Sequence, residues 1–489
     1  MNRVRAVIFA IAQINLAVML MAFVIGIVFS TYYHLLNDVK SFLISIKYLI
    51  SVLILLFLWS FVAYINRRYT LESTVELMIT TCLTWLTVPL SSTIIYVMAL
   101  GLDPLNAFFE STSGFTGTGL SILADLDSLP YVILTWRALT QWLGELGTVV
   151  IAGAILPFIH PSLIRMYTIE RGHRLASTIR RTIQDLFAIY IVFTLLGFLL
   201  LFMSGMEPLD ALIHSMTGIA TGGMSSKAQN IGYWYFQGAQ MILPASLVVM
   251  ILGAQNFRDL YLLLKMRLKE FAKSLEVQGF FTILLLLLTL TIALTKLFRL
   301  DTVLAIYHLI SGYTTTGFQV GNISTYPDAL KTIIILAMII GGATFSTAGG
   351  IKIRRIVIAL KVIVWDIQRV VMPKNIIVVR RLGREVIDEA SVDSTMSYIM
   401  LYAITLLLLS VGLHLMLITS NLTNYSFLDS VFEATSALSC VGLSVGITSA
   451  SLPPTAKIIL ITAMYLGRLE FLPLYLSIGL YYMKKKLPG

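Results

Sequence analysis

The chain has 489 residues, of which 57% are hydrophobic and only 12% are charged, and its mean hydropathy is +0.87. A soluble protein carries about 25% charged residues, so the composition excludes an ordinary soluble domain. The net charge of +10 could indicate a nucleic-acid partner, but its distribution along the chain argues against one. We expect an all-α polytopic membrane protein, because the apolar runs approach or exceed the ~20 residues that a spanning helix needs.

The basic residues are concentrated in a few segments that would lie on one side of the membrane. Most of the 35 Lys and Arg fall in residues 3–5, 67–68, 165–181, 258–273, 352–384 and 484–486. This is the positive-inside pattern. It predicts a cell-membrane protein, in the plasma or inner membrane, whose two termini and long basic loops are cytoplasmic.

The first two apolar runs, 5–30 and 43–65, predict a helical hairpin that ends at Asn66-Arg67-Arg68. Arg3 and Arg5 give the first run some likeness to a secretory signal. Its apolar stretch is too long for one and lacks an obvious small-residue cleavage site, so we expect the hairpin to be retained.

Four later stretches share one pattern, in which two full-length apolar helices enclose a short segment and a polar loop. We predict the helix pairs at 75–101 with 130–158, 183–205 with 236–264, 279–298 with 330–363, and 393–420 with 455–483. Each pair encloses a segment that is too short to span a membrane. These short segments are 103–114, 207–218, 301–312 and 426–437.

Each short segment leads into a loop centred on a glycine, and the four loops align without a gap on Gly119, Gly223, Gly317 and Gly442. A hydroxyl residue stands six positions before each of these anchor glycines. The alignment predicts an internal fourfold repeat. Together with the hairpin it divides the chain into units at 1–69, 70–160, 161–278, 279–392 and 393–489.

Four such loops have the chemistry of a cation filter. The C-terminal end of each short helix carries about half a negative charge, and carbonyls of the following loop can replace the hydration shell of a cation. Glycine allows the backbone to turn inward beside three neighbours, and the Thr and Ser hydroxyls can orient the loop. The alternative is that these are simple polar turns. The residues expected to line this cation filter are Thr116, Gly117, Thr118, Gly119, Ala220, Thr221, Gly222, Gly223, Thr314, Thr315, Thr316, Gly317, Ser439, Cys440, Val441 and Gly442.

Two further columns of the alignment carry ionisable side chains. Sixteen positions before the anchors stand Asp103, Glu207, Asp301 and Ser426, which we expect to cap the short helices; an acidic vestibule is the alternative. Nine positions before the anchors stand Glu110, His214, His308 and Glu433. We interpret this second column as packing and hydrogen bonding rather than catalysis.

The four units resemble the Trk/Ktr/HKT superfamily of potassium translocation proteins over nearly the whole chain. The N-terminal hairpin makes the chain similar to the TrkH branch rather than to KtrB. A glycine at all four anchors is similar to potassium-permeable members, although Gly117, Ala437 and Cys440-Val441 make the filter unsymmetrical. The resemblance implies a homodimer in membrane lipid, docked on a cytosolic nucleotide-binding regulatory subunit of the TrkA type. The segments 160–182, 258–278 and 352–392 are candidate docking surfaces.

Two other stretches, 339–356 and 466–474, also match this superfamily. Glycines and hydroxyls should interrupt the second helix of unit three, and the resemblance implies a gating loop beneath the filter, with a static kink as the alternative. Arg468 lies deep in an apolar helix and should face the pore or a buried partner. The resemblance implies a pore-facing arginine; an inter-helix salt bridge is the alternative. The expected gating residues are Gly341, Gly342, Thr344, Ser346, Gly349, Gly350 and Arg468.

The sequence also bears on two other classes of function. A sodium- or proton-coupled secondary transporter would need a carboxylate within the membrane, for which Glu145 is the good candidate. An intramembrane enzyme is disfavoured because no metal-ligand spacing connects its candidate residues. These are His160, His173, His214, His308, Glu110 and Glu433. Cys82 and Cys440 indicate neither a disulfide nor a zinc site, and we find no nucleotide-binding or organic-cofactor motif.

Overall fold

The computed structural model describes residues 2–71, 73–147, 179–372, 380–383 and 385–471. Within these ranges the chain is almost entirely helical, with a single two-stranded ribbon. Six of the described helices are long and apolar enough to cross a membrane, or seven if one bent pair counts as a span. The predicted all-α polytopic fold is thereby confirmed for the described part of the chain.

The N-terminal hairpin consists of α1 (Asn2–Leu35) and α2 (Val39–Asn66), close to the predicted runs. Asp38 caps α2 by accepting a hydrogen bond from the Ser41 amide at 3.2 Å. The hairpin is fixed to the rest of the protein by the buried Asn15, whose Nδ2 donates to the Thr87 hydroxyl at 3.2 Å.

The remaining helices follow the predicted fourfold pattern. Unit one contains α3 (Thr74–Leu100), α4 (Pro104–Phe115) and α5 (Tyr131–Leu146); unit two contains α6 (Ile179–Met203), α7 (Pro208–Ile219), α8 (Gly232–Phe236), α9 (Ile242–Gly253), α10 (Phe257–Leu264) and α11 (Leu268–Lys273). Unit three contains α12 (Leu275–Phe298), α13 (Thr302–Tyr313), a 3-10 turn (Ile323–Thr325), α14 (Asp328–Ile340), α15 (Ile353–Val371), β1 (Arg381–Leu382) and β2 (Glu385–Val386). Unit four contains α16 (Glu389–Thr419), α17 (Phe427–Leu438) and α18 (Pro454–Arg468).

The four short helices α4, α7, α13 and α17 have twelve residues each and begin where the capping pattern predicts. Asp103 and Asp301 each accept two backbone N–H bonds in the first turn, and Ser426 forms a capping box with Asp429. Glu207 occupies the same position without a side-chain cap bond. Capping is thus confirmed for three of the four residues.

The units close into a ring in chain order. The second helix of each unit packs against the short helix of the next, and α18 of unit four packs against α4 of unit one. A polar contact accompanies each of these junctions. The contacts are Arg137 Nη1 to Ser225 O (2.9 Å), Ser246 Oγ to Tyr307 OH (2.9 Å), Lys331 Nζ to Asp429 Oδ1 (2.7 Å) and Lys457 Nζ to Asn106 Oδ1 (2.7 Å).

The expectation of one continuous helix over 236–264 is wrong. The chain bends by 116° between α9 and α10. Asn256 caps α10 through the Arg258 amide, and the intramembrane segment of unit three occupies the gap, where the Ala343 amide donates to the Ala254 carbonyl at 3.0 Å. A tertiary contact therefore replaces the helical bonds that a local pattern would predict.

The predicted break in the second helix of unit three is confirmed, since α14 ends at Ile340 and α15 begins at Ile353. Other predictions lie partly outside the described residues. These are the boundary at 160, His160, His173 and most of segment 160–182. The expectation of continuous helices over 130–158 and 455–483 is wrong, because α5 ends at Leu146 and α18 ends at Arg468. Positive φ angles at Gly147, Glu470 and Phe471 turn the chain out of the helix, and the residues beyond 147 and 471 lie outside the described chain.

Candidate ion-conduction site

Each short helix ends in the same backbone turn. The residue two positions before the anchor adopts the left-handed conformation in all four units, with φ from +50° at Thr221 to +69° at Gly117. The next amide donates back to the carbonyl six positions before the anchor, at 2.8 to 3.0 Å. This is the Schellman geometry, which satisfies the last helical carbonyls and turns the chain sharply. The other two left-handed residues are Thr315 and Cys440.

The four anchor glycines form a closed ring. All have positive φ, and a Cβ added to any one would collide with the carbonyl oxygen that precedes the anchor of the next unit. The facing pairs are Gly119 with Gly222 O, Gly223 with Thr316 O, Gly317 with Val441 O, and Gly442 with Thr118 O. The ring therefore requires glycine for both its conformation and its close approach.

A cavity of about 610 Å³ opens onto this ring, and all four anchor glycines line it. The charged side chains in its lining are Arg137 and Lys227, so the mouth of the ring carries basic rather than acidic groups. Asp103, Glu207 and Asp301 are absent from the lining of this cavity within the described chain, which disfavours the acidic vestibule.

The ionisable column nine positions before the anchors ties each short helix to the outgoing half of its loop. Glu110 accepts from the Ser121 hydroxyl and the Ile122 amide, at 3.0 and 3.2 Å. His308 accepts from the Val320 amide at 3.0 Å. His214 and Glu433 make the equivalent contacts with Ser225 (2.9 Å) and Ser444 (2.8 Å). These bonds support packing rather than catalysis, as expected.

Side-chain hydroxyls stabilise the loops of units one and three differently from those of units two and four. Thr116 bonds Thr118 at 2.8 Å in unit one, and Thr314 bonds Thr316 at 2.9 Å in unit three. Unit two has Ala220 in place of the first hydroxyl, and in unit four Ser439 bonds Tyr402 at 2.6 Å. The side-chain layer therefore has lower symmetry than the backbone.

Residues 341–352 of unit three cross beneath the ring. Thr347 lies 2.9 Å from the carbonyl oxygens of both Ile219 and Gly253, and 3.2 Å from the Thr221 hydroxyl. The Gly349 amide donates to Thr315 Oγ1 at 2.7 Å. The left-handed residues of units two and three thus contact this intramembrane segment directly.

The other predicted gating residues give the segment its shape. Gly341 and Gly350 have positive φ and lie against each other, so that a Cβ on either would press on the other's backbone. Ser346 Oγ donates to the Ala343 carbonyl at 2.6 Å. The Thr344 carbonyl accepts from Asn256 Nδ2 at 2.6 Å, and Gly342 packs on Ala254.

Arg468 forms a buried ion pair beneath unit one. Its Nη1 lies 2.6 Å from Glu145 Oε2, and its Nη2 donates to the Gly144 carbonyl at 2.6 Å. The Glu145 side chain is 2% exposed and fills the place that a Cβ on Gly117 would occupy. The expectation of a buried partner is confirmed, in the form of the inter-helix salt bridge.

Sequence reasoning missed two residues of α5. Arg137 joins Glu110 at 2.8 Å and is 1% exposed. Gln141 bonds two backbone groups of the unit-two loop. Both lie four residues apart on the helix face that also carries Glu145, and this spacing on an apolar helix is the signal that could have identified them.

The comparisons with known proteins agree with this geometry. A family model described as TrkH, cation transport protein, matches residues 40–307 and 300–481. The chain belongs to this family. The family consists of transporters, so the expectation that the chain is not an enzyme is confirmed.

Relatives and a solved structure cover most of this TrkH family member. It is 31% identical over 386 residues to the Trk system potassium uptake protein TrkH of Halomonas elongata, covering 76% of this chain and 78% of that one. It is 28% identical over 436 residues to an uncharacterised cation transporter of Methanocaldococcus jannaschii, covering 87% of each. The crystal structure of the potassium transporter TrkH from Vibrio parahaemolyticus superposes with a TM-score of 0.79 at 25% identity, covering 95% of this chain and 98% of that chain. These matches support a multi-pass membrane protein.

Proposed function

We propose that this protein takes up potassium through the ring of four loops, by channel-like permeation. The family model is described as a cation transport protein, and the relative from Halomonas elongata is named a potassium uptake protein. The observation that carries the proposal is the closed ring of Gly119, Gly223, Gly317 and Gly442, each against a carbonyl of the next unit. Such a ring offers backbone oxygens in place of a hydration shell.

The four short helices add an electrostatic contribution to the same site. Each ends at the ring, so that four negative helix C-termini converge there, each equivalent to about half a charge. This attraction would offset part of the desolvation of an entering potassium ion. Lys227 at the mouth opposes this attraction and limits how tightly the ion is held, whereas the charge of Arg137 is balanced by Glu110.

Residues 341–352 are proposed as the gate. They lie beneath the loops of units two and three, to which the Gly349 amide and the Thr347 hydroxyl connect them by hydrogen bonds. Non-helical backbone at membrane depth is tolerated where it is buried or lines a water-filled path. Arg468 adds a paired cation on the opposite side, where it would shape the path below the ring.

The orientation and partners are proposed from charge and family. Arg258, Lys265 and Lys273 follow the bend after α9 along the chain, in a segment that the positive-inside pattern predicts to be cytoplasmic. The described part of segments 258–278 and 352–392 is largely helical, in α10, α11 and α15. We assign these helices as the docking surface for a TrkA-type regulatory subunit beneath a homodimer.

Rubidium uptake into liposomes tests the filter, with Gly317→Ser as the variant. Gly317 has φ +84° and a carbonyl pressed against it, whereas Gly321, four residues on, has φ +75° and nothing within 4 Å. Gly321→Ser is therefore the matched control, since it carries the backbone strain without the clash. Loss of the preference for rubidium over sodium in Gly317→Ser alone supports the proposal; equal behaviour of both variants would refute it.

The coupled-transport alternative is tested in the same liposomes. Its candidate carboxylate, Glu145, is held by Arg468 at 2.6 Å rather than standing ready to exchange a proton or sodium ion. Rubidium uptake driven by a membrane potential, without a sodium or proton gradient, supports passive permeation. An absolute requirement for either gradient would favour coupling.

A further inference from the structure

Unit two lacks a side chain at the ring position where the other units have one. The residue before the anchor is Thr118, Thr316 or Val441 in units one, three and four, but Gly222 in unit two. A Cβ on Gly222 would lie 2.5 to 2.7 Å from three atoms of the Gln141 carboxamide. A glutamine from another unit therefore occupies the place of the missing side chain.

Gln141 holds the loop of unit two at two points. Its Nε2 donates to the Gly222 carbonyl at 2.6 Å, and its Oε1 accepts from the Met224 amide at 3.0 Å. The two bonds span the anchor Gly223 and fix the orientation of the amide, because only one assignment satisfies both partners. Gln141 is completely buried, so water does not compete for these bonds.

The equivalent position of the other units carries methionine. Gly144, Gly253 and Gly467 each pack against the last carbonyl of a short helix, and Gly341 ends α14. Three residues before these glycines stand Gln141, Met250, Met464 and Met338, all fully buried. Among the described residues, no side chain donates to the ring carbonyls of Thr118, Thr316 or Val441. Unit two alone is held this way within the part of the chain described.

Two adjacent glycines explain why the backbone of the unit-two loop needs to be fixed by Gln141. Gly222 and Gly223 give the ring position of this unit more backbone freedom than it has in the other units, where a residue with a side chain precedes the anchor glycine. A carbonyl oxygen that is free to move would approach a smaller ion as readily as it coordinates a larger one. Discrimination between ions depends on how many carbonyls are held at a given distance and how strongly they bind.

We propose that Gln141 is a positioning residue that sets ion discrimination by fixing the Gly222 carbonyl in the ring. This inference rests on the proposed potassium filter. Arg137 and Glu145 lie one turn away on either side of the same α5 face, and each forms an ion pair that fixes this face of the helix to its neighbours. Arg137 and Gln141 both contact the unit-two loop, whereas Glu145 contacts Gly117 of unit one and Arg468 of unit four.

The test is Gln141→Met, which gives unit one the residue found in the other three units. We expect the ratio of rubidium to sodium uptake into liposomes to fall about fivefold to tenfold, the effect of losing one hydrogen bond to the ring. The ratio is measured on the same liposomes, so it does not depend on the fraction of protein that is active. Gln141→Met combined with Gly222→Thr should recover most of the ratio, because threonine stiffens the loop as in units one and three.

Gln319→Met is the matched control, since Gln319 also lines the mouth but donates to Gly321 of its own loop. An unchanged or increased ratio in Gln141→Met would overturn the inference. So would loss of all flux in Gln141→Met with normal gel-filtration behaviour, because the residue is assigned to discrimination rather than permeation. If Gly317→Ser leaves the discrimination between ions intact, the proposed filter is refuted. If Gln141→Met leaves it intact but Gly317→Ser does not, the proposed filter stands and the role of Gln141 is refuted.

Discussion

Neutralising Glu145 is expected to be far more destabilising than neutralising any exposed carboxylate. Glu145→Gln keeps the shape of the side chain but leaves Arg468, 13% exposed, without its anion. Removing one member of a buried pair costs about 3 to 5 kcal/mol. The lower end applies here, about 3 kcal/mol, because the Gly144 carbonyl still accepts from Arg468.

Glu470→Gln provides the matched comparison. Glu470 also pairs with an arginine, Arg355, at 2.7 Å, but the two side chains are 41% and 29% exposed. Such an exposed pair contributes only about 0 to 1 kcal/mol. The midpoint of thermal unfolding in detergent, followed by size-exclusion chromatography, should therefore fall clearly in Glu145→Gln and little in Glu470→Gln.

A double variant separates charge from packing. Glu145→Leu with Arg468→Met replaces the pair with apolar side chains of similar length, which should recover most of the lost stability. Equal midpoints for Glu145→Gln and Glu470→Gln would refute the assignment of a buried pair. A double variant less stable than Glu145→Gln would contradict the charge argument.

Three further changes test other parts of the structure. Asp103→Ala should lower stability by about 1 kcal/mol through loss of a cap, measured by thermal unfolding, whereas Glu207→Ala, which removes no cap bond, should not. Thr347→Val should raise rubidium uptake in the absence of any regulator, because the segment beneath the ring loses its contacts with the Ile219 carbonyl. Lys227→Gln should raise uptake about twofold at low ionic strength and sub-saturating rubidium, an effect that vanishes in high salt.

The backbone of the site was predictable because its signals are local. Asp103-Pro104 and Glu207-Pro208 marked the start of two short helices, and the glycine of each loop marked the turn that follows. Each predicted short segment lies within one residue of the observed helix, for example 103–114 against Pro104–Phe115. Local capping and turn chemistry act over a few residues, so one sequence suffices to find them.

The side-chain partners were not predictable in the same way. Glu145 and Arg468 are separated by more than three hundred residues, and Gln141 meets Gly222 only because unit two packs on unit one. The break after Ala254 likewise depends on a segment of unit three. Contacts between units carry no periodic signal in the chain, and only the folded ring brings them together.

The layer beneath the ring explains why the intramembrane segment lies where it does. The residues that follow the packing glycines are Glu145 and Arg468 in units one and four, and Ala254 and Gly342 in units two and three. Glu145 and Arg468 fill the layer beneath units one and four with a buried salt bridge. Ala254 and Gly342 are small and in contact, since a Cβ added to Gly342 would lie only 3.3 Å from that of Ala254. The segment crosses beneath units two and three, where Thr347 is anchored, and its Gly349 also lies against the Ser439 carbonyl of unit four. A backbone of fourfold symmetry is thus combined with different side chains in each unit, and the small residues of units two and three leave the space that the proposed gate crosses.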